Sequence, residues 1–87
     1  MEIRKNINKI TESFPEYRYD METTMWEWLI YFWKNEQSFF FELPNHNKID
    51  DVKPIPKSRI SKNGEWIVLE DYDIDILIQK TKEIINT

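Results

Sequence analysis

Met25-Trp26-Glu27-Trp28-Leu29-Ile30-Tyr31-Phe32-Trp33, then Lys34-Asn35-Glu36-Gln37, then Ser38-Phe39-Phe40-Phe41-Glu42-Leu43, is the stretch on which the fold turns. Two aromatic runs flank a short polar break, which is the pattern of a β-hairpin. One competing reading starts from Thr24-Met25-Trp26-Glu27, which fits a helical capping box, so that 25–34 would be a buried helix. Such a helix would be apolar almost all round and loaded with bulky rings. The density of aromatic residues favours strand, although a short apolar run is ambiguous by period alone.

Working outward towards the N-terminus, Tyr17, Tyr19 and Met21 alternate with Arg18 and Asp20, a short half-exposed strand. Before it, Ile3, Ile7, Ile10 and Phe14 recur at helical spacing, with Arg4, Lys5, Asn6, Asn8, Lys9 and Glu12 on the rest of the wheel. Pro15 stops that helix, because the residue before a proline is pushed out of the α region.

Towards the C-terminus, Pro44 ends the hairpin, and residues 45–57 have no sustained period. With Pro54 and Pro56 they read as an exposed loop leading into an edge strand, since proline removes a ladder donor. Asn63-Gly64 is the clearest turn signal, a type I′ hairpin between 59–62 and 65–69. Its register sets Lys62 against Glu65, Ile60 against Ile67 and Arg59 against Val68. A second helix follows, with Asp71 or Asp73 as N-cap and Asp75 in the first turn. Ile74, Leu77, Ile78, Thr81 and Ile85 form its buried stripe, and Lys80 and Lys82 lie towards its C-terminal end.

Helix, antiparallel strands, helix implies an α+β domain over residues 1–87, with four to five strands and both helices on one face of the sheet. The central strand places Trp26, Trp28, Ile30 and Phe32 on one side and Met25, Leu29, Tyr31 and Trp33 on the other. The next strand divides likewise, Phe39, Phe41 and Leu43 against Phe40. The expected core joins Trp26, Trp28, Ile30 or Phe32 to Ile3, Ile7, Ile10, Leu77 and Ile78. Helices on one face cannot cover both sets. The second face therefore needs curling of the sheet, the 45–57 loop, or a partner, since monomers rarely expose so large an apolar cluster.

Composition narrows the functions. The chain has 87 residues, room for one hydrophobic core, and its 40% hydrophobic and 15% aromatic content is that of a folded domain rather than a disordered one. It has no cysteine, which excludes thiolate metal sites and cysteine nucleophiles. One glycine, Gly64, leaves nothing from which to build a phosphate-binding loop. His46 with Asp50 and Asp51 is the nearest thing to a metal or acid–base cluster, and it supplies too few ligands. Serines 13, 38, 58 and 61 would all depend on that one histidine as base. Carboxylate pairs drawn from Glu27, Glu42, Glu65 and Glu70 are what chance gives in so charged a chain. The expectation is a non-catalytic protein without metal or cofactor. The longest apolar run, 28–33, is far too short to span a membrane. No secretory pattern opens the chain, so a cytoplasmic protein is expected. Absent alanine and abundant isoleucine, asparagine and lysine point to AT-rich coding, as in a low-GC bacterium, its phages or its plasmids.

Charge then selects a partner. The net charge of −4 disfavours general nucleic-acid and anionic-membrane binding. Residues 65–75 carry Glu65, Glu70, Asp71, Asp73 and Asp75 with no basic residue. These acids either cap the last helix or form an acidic recognition patch. A partner-binding set of Glu70, Asp71, Asp73 and Asp75 with the anchors Tyr31, Trp33 and Trp66 follows, the partner being another, basic protein. A second copy of the chain is also possible. In size, charge and composition the chain is similar to bacterial toxin-neutralising immunity proteins and phage-encoded inhibitors of host defence, with no motif specific to any one family. That likeness implies an inhibitor or immunity-type factor. The alternative is a single-stranded nucleic-acid-binding module in which Lys53, Lys57, Arg59 and Lys62 meet phosphate beside the aromatic hairpin.

Overall fold

In the computed structural model, which describes residues 3–45 and 54–87, two helices flank five strands in the order α1 (Ile3–Ser13), β1 (Arg18–Thr23), β2 (Glu27–Lys34), β3 (Gln37–Pro44), β4 (Lys57–Lys62), β5 (Glu65–Glu70) and α2 (Ile74–Ile85). The strands form one antiparallel sheet in sequence order, β1-β2-β3-β4-β5. The α+β architecture expected from the period switch is the architecture present. His46, Lys48, Asp50, Asp51 and Lys53 lie outside the described residues.

Residues 27–34 are strand, not helix, and Met25 and Trp26 lie in the bend before it. The capping-box signal at Thr24 is nonetheless physical, and it closes a turn instead of opening a helix. Thr24 Oγ1 accepts hydrogen bonds from the Trp26 and Glu27 amides at 3.2 and 3.0 Å, and the Thr24 amide donates to the Glu27 carbonyl at 2.8 Å. Asn45 fastens this turn to the end of β3, its amide donating to the Trp26 carbonyl at 2.8 Å and its Nδ2 to the Thr24 carbonyl at 2.9 Å. Because the chain turns here, Trp26 stands outside β2 and is 52% exposed. That corrects its placement in the core. The polar break also shrinks to Asn35-Glu36, since Lys34 pairs with Gln37, and Asn35 adopts a φ of 55°, a conformation asparagine tolerates.

The Asn63-Gly64 hairpin has the expected register, Lys62 on Glu65, Ile60 on Ile67 and Arg59 on Val68. Asn63 and Gly64 have φ of 55° and 79°, as a type I′ turn requires. The strand that follows the proline-rich loop is not an edge strand, however. β4 lies between β3 and β5. Pro54 and Pro56 precede it and none interrupts it, so every β4 residue keeps an amide donor for its neighbours.

Register assigns each side chain to a face, because directly opposed residues lie on the same side. Ile30, Phe32, Phe39, Phe41, Leu43 and Ile60 point beneath α1 and α2 and are buried with Ile7, Ile10, Phe14, Ile74, Leu77 and Ile78. Phe14 brings its ring to within 4.8–5.9 Å of Phe32, Phe39 and Phe41. Ser58 and Thr81 are the buried polar pair of this face. Thr81 Oγ1 donates to the Leu77 carbonyl at 2.8 Å and accepts from the Ser58 hydroxyl at 2.8 Å, which lets α2 approach β4 with both hydroxyls satisfied. Truncating Phe41 to alanine should cost about 3–5 kcal/mol in chemical denaturation, while Trp26→Ala should cost less than half as much.

Candidate interaction face

The side of the sheet away from the helices carries an aromatic row. Opposed residues run Arg18, Trp33, Ser38, Ser61 and Trp66 across the five strands. The next line is Asp20, Tyr31, Phe40, Arg59 and Val68, and the third is Glu22, Leu29, Glu42, Lys57 and Glu70. Tyr31 packs on Phe40 at 5.2 Å, and Phe40 meets Trp66 edge-to-face at 5.6 Å. Among the described residues no helix lies over this row, and Trp33, Trp66 and Val68 remain 41%, 56% and 43% exposed. Of the expected anchors, Tyr31, Trp33 and Trp66 therefore share one face. Phe40 joins them as the ring that links Tyr31 to Trp66.

Carboxylates outnumber cations on this face. Asp20, Glu22, Glu27, Glu42 and Glu70 stand against Arg18, Lys57 and Arg59. Glu42 pairs with Arg59 Nε, and Glu70 with Lys57 Nζ at 3.9 Å. The Tyr31 hydroxyl donates to Glu22 at 3.0 Å. Burial, that hydrogen bond and the surrounding carboxylates raise the Tyr31 hydroxyl above its usual range. Glu27 is raised as well, first by burial and then by Glu42, whose carboxylate accepts a hydrogen bond from protonated Glu27; Lys57 and Arg59 pull the other way.

The acidic segment that leads into α2 is engaged at close range. Asp73 is the N-cap, its Oδ1 accepting from the Asp75 and Ile76 amides at 2.9 and 3.3 Å. Asp71 accepts from the Asp73 amide at 2.8 Å and pairs with Lys80 at 3.5 Å. Asp75 pairs with Lys9 of α1 at 3.3 Å. Of the four acids assigned to partner binding, only Glu70 lies in the same three lines as the aromatic anchors.

The basic set also divides. Lys57 and Arg59 lie on the open face. Lys62 lies on the helix side, where its Nζ donates to the Ile84 and Thr87 carbonyls at 2.8 and 2.9 Å and to the Thr87 hydroxyl, holding the C-terminal turn of α2. Lys53 lies outside the described residues. No stretch of sequence signalled the Lys62 contact, because it spans more than twenty residues and joins a strand end to a helix end. Glu22, Glu27 and Glu42 carry the same odd–even signal as Tyr31 and Phe40, but their number becomes evident only once the five strands are aligned.

Among the described residues no helix is long and apolar enough to cross a membrane, and no group of His, Asp and Glu could hold a metal ion. Comparison with protein-family models, curated proteins and solved structures gives no match, so the face stands on its own geometry.

Two outcomes follow from these contacts. Glu27 binds its proton more tightly folded than unfolded, so stability present at low pH is lost as pH rises from the ordinary glutamate range through the raised folded value. Thermal unfolding between pH 4 and pH 7 should show that fall, and Glu27→Gln should flatten it. Asp73→Ala should cost about 1 kcal/mol through loss of the cap, and Asp75→Ala less, because its ion pair is exposed.

Proposed function

We propose that the protein is a non-catalytic, cytoplasmic binding factor of the inhibitor or immunity type, and that it recognises a basic effector protein through the open face of its sheet. The observation that carries this reading is the Trp33–Tyr31–Phe40–Trp66 row with a surplus of carboxylates around it. Tryptophan and tyrosine are the residues most enriched at binding hot spots, where they offer large apolar area with little rotamer freedom to lose. A rim that is net acidic favours encounter with positive charge and penalises acidic surfaces. Glu70 contributes from within this face. Asp71, Asp73 and Asp75 lie beyond it, engaged at the start of α2, and contribute as a more distant acidic field.

The single-stranded nucleic-acid alternative has in its favour the same ring row, which offers a stacking surface. Against it, Lys57 and Arg59 are paired with Glu70 and Glu42, and Lys62 is tied to α2 on the other side of the sheet.

Affinity capture from the source cell with the wild-type chain and with Trp33→Ala and Trp66→Ala, run beside gel shifts on oligo-dT and oligo-U, tests the proposal. The expected result is one basic protein bound in a salt-sensitive manner and weakened about 30-fold by either tryptophan change, the effect of losing a 2 kcal/mol hot spot. An oligonucleotide shift abolished by Lys57→Gln with Arg59→Gln, in the absence of a protein partner, would contradict it.

A further inference from the structure

The two edges of the sheet are built differently. On β1 every second residue is charged, Arg18, Asp20 and Glu22, a pattern that discourages further strand pairing. On β5 the middle of the edge is Trp66-Ile67-Val68-Leu69, four consecutive apolar residues with no lysine and no proline. Glutamates stand only at the two ends of that strand, Glu65 and Glu70.

The hairpin determines which backbone groups of β5 face outward. In a two-residue hairpin the residues flanking the turn form a hydrogen-bonded pair, and such pairs then alternate with non-bonded ones. From the Lys62–Glu65 pair, Glu65, Ile67 and Leu69 direct their amides and carbonyls to β4. The next step of that alternation is present beyond the strand end, where the Asp71 amide donates to the Pro56 carbonyl at 3.2 Å. Trp66, Val68 and Glu70 consequently point theirs away from the sheet. Among the described residues nothing pairs with that edge.

We infer that β5 pairs with β5 of a second copy of this chain, antiparallel about a two-fold axis at Val68. The outward set 66, 68 and 70 is symmetric about Val68, so this register matches every outward donor with an acceptor. Val68 opposes Val68, Trp66 opposes Glu70, and Ile67 opposes Leu69 on the helix side. A pairing centred on Ile67 or Leu69 would put a non-bonded pair on the axis and match only 66 with 68, or only 68 with 70, leaving the third outward residue opposite Gly64 of the turn or Tyr72 beyond the strand. One centred on Trp66 or Glu70 would run off the end of the strand into the turn or the α2 cap. The central register keeps the two Glu70 carboxylates apart, each beside an indole. Its one like-charge juxtaposition, Glu65 with Asp71, falls at the strand ends, where Asp71 already pairs with Lys80. The closed two-fold also fits the commonest symmetry of homo-oligomers. It would join two sheets into one of ten strands with a continuous open face, and it does not depend on what that face binds.

Sedimentation equilibrium at about 100 μM chain, above the micromolar Kd a small interface gives, should show a dimer. Its fraction should rise with added salt, because each copy carries a charge of −4. Val68→Pro removes an outward amide without touching the β4 ladder and should give a monomer with unchanged circular dichroism and melting. If that variant does not fold, Val68→Lys, which keeps the amide but sets two cations at the axis, carries the same test. In the register proposed the two Val68 Cα atoms lie about 5.5 Å apart, within disulfide range, and the two Trp66 Cα atoms about 14 Å apart. The chain has no cysteine of its own, so Val68→Cys should cross-link about tenfold faster than Trp66→Cys under mild oxidation. A chain monomeric at every concentration, a dimer indifferent to both Val68 changes, or equal cross-linking at the two positions would overturn the inference.

Discussion

The near-parallel stacking of Phe32 on Phe39, 4.9 Å apart across β2 and β3, is the contact on which the remainder of the structure depends. Both rings are buried, and Phe14, the residue after α1, lies against both. A slip of one residue between these strands would turn Tyr31 and Phe40 inward and Phe32 and Phe39 outward. The stack therefore selects at once which rings make the core and which are left facing solvent. α1 and the residue after it reach this cluster with Ile7, Ile10 and Phe14, and α2 covers β4 and β5 with Ile74, Leu77, Ile78 and Thr81. Both helices are thereby committed to one side.

That commitment gives the open face its character. Tyr31, Trp33 and Phe40 sit on strands paired on both sides and Trp66 on a strand paired with β4, so their positions are determined by register instead of by loops. Trp33 and Trp66 come from different hairpins, yet both stand opposite serines of the two strands between them. Each indole thus has a small side chain on its inner side, while Arg18 lies beyond Trp33 and Trp66 ends the line. Charge is distributed around the same rows, with Glu42–Arg59 and Lys57–Glu70 pairs leaving Asp20, Glu22 and Glu27 against Arg18 alone. A surface of this kind is held rigid before it meets anything, which lowers the entropy cost of binding.

Much of this arrangement was legible in the residues themselves. The Asn63-Gly64 turn, the stripes of both helices and the separation of Tyr31 and Trp33 from Ile30 and Phe32 all follow from local period and turn chemistry. What escaped, the local turn at Thr24 aside, needed long-range alignment. Trp26 follows the alternation of β2 on paper, but the Thr24 turn ends the pleat before reaching it. The rank of β4 within the sheet depends on which strands border it, and prolines in the preceding loop carry no information on that. Lys62 reads as one more surface cation until the end of α2 is brought beside it. Asp73 was legible as an N-cap, whereas the pairing of Asp71 with Lys80 and of Asp75 with Lys9 was not, because sequence shows the sign of these acids without showing the lysines brought beside them.

One face of the sheet is sealed by the two helices, and the other stands open with its rings accessible. Hydroxyl-radical footprinting of the isolated chain, read residue by residue by mass spectrometry, measures this directly. Tyr31, Trp33 and Trp66 should oxidise rapidly, with Phe14, Phe32, Phe39 and Phe41 protected until the protein unfolds. Protection of Tyr31, Trp33 and Trp66 equal to that of Phe41 in the folded, isolated chain would contradict it.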